Sequence, residues 1–191
     1  MLERGFELSR DLSFPIPFSL IASALGVTYA LSGRLAEAIP PLEAAFEQAN
    51  AMKLMVNRPM VVTWLGEGYL LSNRLEDALR MGKLALDSSR EQKERGHETY
   101  ALRLLGEITA QADSPDIESA QGYYRLAMGL AEELGMRPLV ARCHQGLGTL
   151  YRRAGSHSEA KTHLTAAIAL FRAMGMQFWE EKAVAALRES R

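Results

Sequence analysis

Apolar residues recur at spacings of three and four along most of the chain, and short polar turns separate these periodic stretches. Segments of this kind come in pairs. The first member of a pair carries Leu-Gly, the turn reads for example Ser32-Gly33-Arg34, and the second member carries spaced alanines. Period-two alternation, the mark of a half-buried strand, does not compete with this pattern. The chain is therefore predicted to be all-α, built from antiparallel helix pairs.

The pairs repeat along the sequence. In three of four copies Leu-Gly precedes a tyrosine, as in Leu25-Gly26 before Tyr29, whereas the third copy has Thr109 in place of the aromatic residue. The glycines lie 40, 40 and 42 residues apart, and two alanine series run in register with them. These positions are Gly26, Gly66, Gly106 and Gly148; Ala38, Ala78, Ala120 and Ala160; and Ala45, Ala85, Ala127 and Ala167. Small residues at a shared phase indicate close approach of two helices.

Local signals place the helix starts with one conflict. Asn73 followed by Glu76, and Ser156 followed by Glu159, have capping-box spacing at the start of second helices. The stretch Ser114-Pro115-Asp116 suggests an N-cap, a first-turn proline and an acidic first turn. Pro40-Pro41 falls about five residues into a second helix, so that helix is expected either to start late or to bend.

The repeated motif resembles the tetratricopeptide repeat, in a long variety of about 40 residues. In the fourth copy the matching residues are His144, Leu147-Gly148, Tyr151, Ala160, Leu164 and Ala167. The stretch from Arg137 to Leu187 also resembles the terminal repeats of bacterial nucleotide cyclases and ATPase-type transcription regulators. The resemblance implies an α-solenoid, a right-handed superhelix with a concave inner face.

The register divides the chain into one repeat domain, 1–191. Its predicted parts are the second helix of a truncated repeat (1–16), repeat 1 (17–56), repeat 2 (57–96), repeat 3 (97–137), repeat 4 (138–176) and a C-terminal capping helix (177–191). The chain is accordingly expected to be the C-terminal part of a longer array. The exposed face of its first helix makes self-association plausible.

In the family, first helices line the concave groove that binds partners. Carried over to this sequence, the groove positions form a polar and basic set towards the C-terminus and an apolar set before it. They are Met60, Thr63, Trp64, Glu67, Tyr100, Arg103, Glu107, Arg142, Gln145, Thr149 and Arg152. A peptide with one apolar and one acidic end would suit such a groove. Trp64 has the competing interpretation of a core residue, and Arg152 that of a solvated surface residue.

Composition and charge narrow the function classes. The 191 residues are 48% hydrophobic and 24% charged, with a formal net charge of −1, and neither half has a basic excess. A nucleic-acid-binding surface would need such an excess, so no nucleic-acid partner is expected. The chain contains no apolar run long enough for a membrane span and no apolar leader, so a cytoplasmic location without membrane contact is expected.

No catalytic or metal-binding pattern stands out. Cys143 and His144 are adjacent on a helix and point about 100° apart, so they are interpreted as a small buried thiol beside a packed histidine. His157 and His163 are six apart, which misses the spacings of one helix face. Acidic residues near Asp113 are interpreted as helix caps. We therefore predict no cofactor, no metal and no enzymatic activity.

The predicted function is a non-catalytic protein-interaction scaffold, the regulatory or sensor segment of a larger bacterial signalling protein. It would bind a peptide or protein segment in its groove. Two alternatives remain at this point. One is a repeat domain that senses a small ligand around Trp64, Glu67, Tyr100 and Arg103, and the other is an RNA-binding helical repeat, which the near-zero charge disfavours.

Overall fold

A computed structural model describes residues 1–11, 15–52, 58–112 and 116–189. Over those ranges the chain forms ten α-helices and no strand, so the all-α prediction is confirmed. In chain order they are α1 (Leu2–Asp11), α2 (Pro15–Leu31), α3 (Leu35–Ala51), α4 (Arg58–Leu71), α5 (Leu75–Glu91), α6 (Arg95–Gln111), α7 (Ile117–Glu133), α8 (Arg137–Arg153), α9 (His157–Ala173) and α10 (Gln177–Arg188). None of the described helices is both long and apolar enough to cross a bilayer.

The helices form two compact units, an N-terminal unit of Met1–His97 and a C-terminal unit of Glu98–Arg191. In the N-terminal unit α2 packs on α3 and α4 packs on α5, and α1 and α3 each also contact the helix that follows. In the C-terminal unit α8 packs against α7 and α9, and α10 packs on α9. Neighbours in sequence are therefore neighbours in space, as expected for a helical repeat.

The two alanine series form the inner contact of the helix pairs. None of their side chains is accessible to solvent. They are Ala38, Ala78, Ala120, Ala160, Ala45, Ala85, Ala127 and Ala167. A side chain of one carbon lets two helix backbones approach closely, so the repeat register was a reliable guide to the core.

The helical glycines are required by the same contacts. A Cβ added at Gly26 would lie 2.4 Å from Cγ of Leu42, and one at Gly148 would lie 2.6 Å from Cγ of Leu164. Leu42 and Leu164 occupy equivalent positions in α3 and α9, and both are fully buried. The predicted packing requirement is thus confirmed at these two positions.

The turns between paired helices use the left-handed backbone conformation. Gly33 and Gly155 have φ of 81° and 76°, and Asn73 takes the equivalent place with φ of 58°. Asn73 therefore cannot be the N-cap of α5, which is Arg74, and no side-chain hydrogen bond caps that helix. Ser156 is the N-cap of α9 but likewise makes no side-chain capping bond, so both predicted capping boxes are wrong.

The start of α7 also differs from the prediction. Asp116 is the N-cap, and its carboxylate accepts a hydrogen bond from the Ser119 backbone N–H at 3.0 Å. Asp116 was expected in the first turn instead; Ser114 and Pro115 lie outside the described residues. The acidic side chain still stabilises the helix start, from one position outside it.

The proline pair of α3 lies inside an uninterrupted helix. Because α3 begins at Leu35, five residues before Pro40, the late start considered above is wrong. Pro41 is among the buried residues of this helix, so its ring adds apolar burial. Its missing N–H removes one backbone hydrogen bond of the helix.

The first described helix, α1, has an exposed apolar surface. Leu2 and Leu8 of α1 are 38% and 51% exposed. An apolar surface of this kind is the basis on which self-association was expected, and that association stays a prediction.

Candidate protein-interaction face

The predicted groove residues of the N-terminal unit all lie on α4. Met60, Trp64 and Glu67 are half-buried, so each presents part of its side chain at the surface. Thr63 is 2% exposed, and its hydroxyl donates a hydrogen bond to the Pro59 carbonyl of the same helix at 2.7 Å. Thr63 is therefore not part of the surface. The partly exposed predicted positions on α4 are therefore mainly apolar, with one acidic group.

An ion-pair network joins two first helices of the C-terminal unit. Arg103 of α6 is 2% exposed and lies 2.5 Å from Oε1 of Glu107, and Arg142 of α8 reaches the same oxygen at 3.1 Å. Burial by itself would raise the pKa of the Glu107 carboxyl, but the two guanidinium groups outweigh it and hold that pKa below its usual value. Glu107 is therefore an anion fixed between two cations.

Trp179 extends this network to α10. The Arg142 guanidinium lies 3.6 Å from the centre of the Trp179 ring, a close cation–π contact. Phe171 of α9 stacks on the Trp179 ring at 6.5 Å between ring centres. The indole is thus held between a cation of α8 and an aromatic ring of α9.

Lys182 adds a cation on the same helix. Its Nζ lies 4.5 Å from the centre of the Phe178 ring and 5.2 Å from that of Trp179. Partial burial, and secondarily the positive charge of Arg142, lower the pKa of this ammonium group. Phe178 is 45% exposed, so a cation and an aromatic ring stand side by side at the surface.

The other predicted residues of this unit lie on α6 and α8, the two helices that carry the network. Arg152 pairs with Glu189 at 3.0 Å, and Thr149 donates to the Gln145 carbonyl at 3.0 Å. Tyr100 of α6 is 39% exposed. Together these side chains form what we call the basic face. Its residues are Tyr100, Glu107, Arg142, Gln145, Thr149, Arg152, Phe178, Trp179 and Lys182.

The cations of the basic face are Arg142, Arg152 and Lys182, of which Arg142 pairs with Glu107 and Arg152 with Glu189, whereas the whole chain has a net charge of −1. Arg103 lies beneath this surface and orients Glu107 instead of meeting solvent. Phe178, Trp179 and Lys182 were missed because the groove positions were not extended into α10. The 40-residue repeat could have predicted Lys182 as a groove residue, because it follows Arg142 by 40 residues.

The cysteine and two of the histidines considered for catalysis or metal binding lie in packed parts of the C-terminal unit. Cys143 is fully buried, and burial is the main cause that raises its thiol pKa to about 12, so the thiolate that would react is suppressed. His144 contacts His163 of α9, a pairing that sequence spacing did not reveal. Among the residues that the structure describes, no three His, Cys, Asp or Glu side chains converge as metal ligands. Asp113 is outside those residues.

Comparison with known proteins agrees with this architecture. Residues 113–173 match the family model of the tetratricopeptide repeat. Among solved structures, BtubC from P. vanneervenii superposes with a TM-score of 0.70 at 19% identity, over 99% of this chain and 84% of that one. Among curated proteins, no sequence matches significantly.

A second similar structure is a Signal Transduction ATPase with Numerous Domains from Pyrococcus horikoshii, described as having a tetratricopeptide repeat sensor. The TM-score is 0.68 at 18% identity, over 91% of this chain and 27% of that one. This chain therefore spans about a quarter of that ATPase. The resemblance found in the sequence is confirmed: residues 113–173 match the tetratricopeptide repeat model, and the chain shares the fold of both similar structures.

Proposed function

We propose that this chain is the non-catalytic, partner-binding segment of a signalling protein, and that its basic face holds an acidic protein segment. The observation that carries the proposal is the group formed by Arg142, Trp179 and Lys182. Two cations and an indole are brought together there by helices 40 residues apart in the repeat.

The chemistry of the basic face favours carboxylates beside apolar side chains. Arg142 and Arg103 share the Glu107 carboxylate, and Lys182 lies beside the Trp179 ring that Arg142 also contacts. An incoming Asp or Glu would add a negative charge beside the Lys182 ammonium group, and the exposed Phe178 ring offers apolar contact next to it. Arg, Trp and Tyr are also the residues that most often anchor protein contacts.

The contrast between the two units supports a protein ligand over RNA. The surface of α4 around Trp64 is apolar with one carboxylate, which suits a protein side chain and not a phosphate chain. The net charge of the chain is also close to zero, whereas binding a phosphate backbone requires an excess of cations. The similarity to a repeat sensor in a signal-transduction ATPase supports the regulatory role.

The test uses an array of 15-residue peptides in which the number and order of Glu, Lys and Leu are varied. Each peptide spans about 50 Å when fully extended. We expect acidic peptides with an apolar residue to be retained, and basic peptides of the same length to be rejected. Lys182→Glu should weaken binding of the best peptide about tenfold, since loss of a good contact costs ~1.4 kcal/mol.

Lys161→Glu is the matched control, because Lys161 is exposed on α9, away from the basic face. It makes the same change of charge and should leave the affinity unchanged. Equal weakening by both variants would show a non-specific charge effect and contradict the proposal. A preference for single-stranded RNA over every acidic peptide would also contradict it.

A further inference from the structure

Two histidines meet across the hairpin of α8 and α9. The Nδ1 atoms of His144 and His163 are 2.9 Å apart, and the ring centres are 5.1 Å apart, so the two nitrogens point almost directly at each other. At this distance one Nδ1 must carry a proton and donate it, and the other must accept it. A single proton therefore lies between the two Nδ1 atoms.

The repeat register shows that a hairpin of this kind does not need a polar pair. The positions equivalent to His144 and His163 in repeat 2 are Val62 of α4 and Met81 of α5. Both are buried, with exposed fractions of 0% and 2%. Repeat 4 thus has two ionisable rings where repeat 2 has two buried apolar side chains.

Charged groups from the packed helices act on the pair unequally. Burial is the main cause that lowers the pKa of both imidazoles. Glu132 of α7 acts in the opposite direction on His144, whereas His144 itself and Arg125 of α7 lower the pKa of His163 further. Tyr151 of α8 stacks on His163 at 5.5 Å between ring centres, and its hydroxyl lies 3.5 Å from Arg125.

We infer that His144 and His163 form a proton-sensitive latch between α8 and α9, closed while the pair holds one shared proton and opened when both Nδ1 atoms are protonated. Two N–H groups then face each other at a distance that suits only one, and two positive charges meet beside Arg125. The hairpin loosens as a result. This inference does not depend on the proposed function, since it concerns the stability of the hairpin itself.

The sign of the pH dependence follows from the lowered values. A histidine whose pKa is lower in the folded state than in the unfolded chain, where it is about 6.5, binds protons more readily after unfolding. The stabilisation from the closed latch is thus present above about pH 6.5 and is lost as the pH falls below it. Each unit of lowering corresponds to a tenfold change in the unfolding equilibrium constant.

The experiment compares urea unfolding at pH 7.5 and pH 5.0 for the whole chain and for His144→Val/His163→Met, which installs the pair of repeat 2. The unfolding constant of the original chain should rise more on acidification than that of the double variant, by about tenfold for each unit of lowering of the histidine pKa. His157→Gln, on the exposed first turn of α9, should leave the acid sensitivity intact. Equal acid sensitivity of the original and the double variant, or its loss in His157→Gln, would overturn the inference.

A second measurement does not require the double variant to fold. Nitrogen-15 NMR of the original chain should show the His144 and His163 rings taking up protons at a lower pH than histidine in the urea-unfolded chain. It should also show that protonation of one ring opposes protonation of the other. Uptake by both rings at the pH found for the unfolded chain would overturn the latch.

Discussion

Single small residues determine how closely the helices of each pair approach. The sequence predicted this from the shared phase of its glycines and alanines, and the burial of all eight alanines confirms it. The same reasoning could not explain Gly122 and Gly129 of α7, where an added Cβ would meet nothing within 4 Å. A glycine is recognisable in a sequence, but whether a neighbour occupies the space of its missing side chain depends on the fold.

Two glycine-to-alanine changes test this difference directly. Gly148→Ala would place a Cβ 2.6 Å from Cγ and 3.1 Å from the backbone N of Leu164, and we expect a loss of ~1–3 kcal/mol in unfolding free energy. Gly122→Ala makes the same change in an open part of α7 and should add up to ~1 kcal/mol through helix propensity. Urea unfolding measures both, and equal effects of the same sign would contradict the packing account.

The Cys143 thiol provides a test of burial at one atom. Because its pKa is raised to about 12, mainly by burial, we expect negligible reaction with a thiol reagent at pH 8 in the folded chain. Full reaction should follow in urea, where the thiol is exposed. Rapid labelling of the folded chain, measured as absorbance of the released thiolate, would show that the Cys143 thiol is accessible to solvent and would contradict its burial.

Between helices, the motif tyrosine of repeats 1 and 2 links the first helix to the second helix before it. Tyr69 of α4 donates to Glu43 of α3 at 2.8 Å, and Tyr29 of α2 donates to Glu3 of α1 at 2.6 Å, in both cases across 26 residues. Repeat 4 changes the chemistry, because Arg125 stands 26 residues before Tyr151. The motif predicted where an aromatic residue belongs, but its partner lies on another helix and was not visible in the motif.

Tyr69→Phe removes one such link and keeps the ring. We expect a loss of ~1 kcal/mol in unfolding free energy, the usual net value of a hydrogen bond. Burial, and then the bond to Glu43, raise the pKa of Tyr69 to about 12, so the stabilisation is present below about pH 10 and is lost as the pH rises towards 12. Urea unfolding at pH 8 and pH 11 measures both effects, and an unchanged pH dependence in Tyr69→Phe would contradict this assignment.

At the scale of the whole molecule, sequence averages concealed the candidate site. The two halves of the chain are nearly neutral, yet in one unit Arg103 and Arg142 share the Glu107 carboxylate, and Lys182 lies beside the Trp179 ring that Arg142 contacts. The groove positions of α4, α6 and α8 were predicted by register, and two of them, Thr63 and Arg103, are buried in the structure. The contribution of α10 was not predicted, because its short helix carries neither Leu-Gly nor the tyrosine.

The most direct test of the partner-binding proposal is amide hydrogen exchange of the whole chain with and without the best acidic peptide from the array. The proposal predicts slower exchange in α8 around Arg142 and in α10 around Lys182, and no change on the exposed side of α9 around Lys161. Protection confined to α7 or α9, with α8 and α10 exchanging as in the free chain, would contradict it.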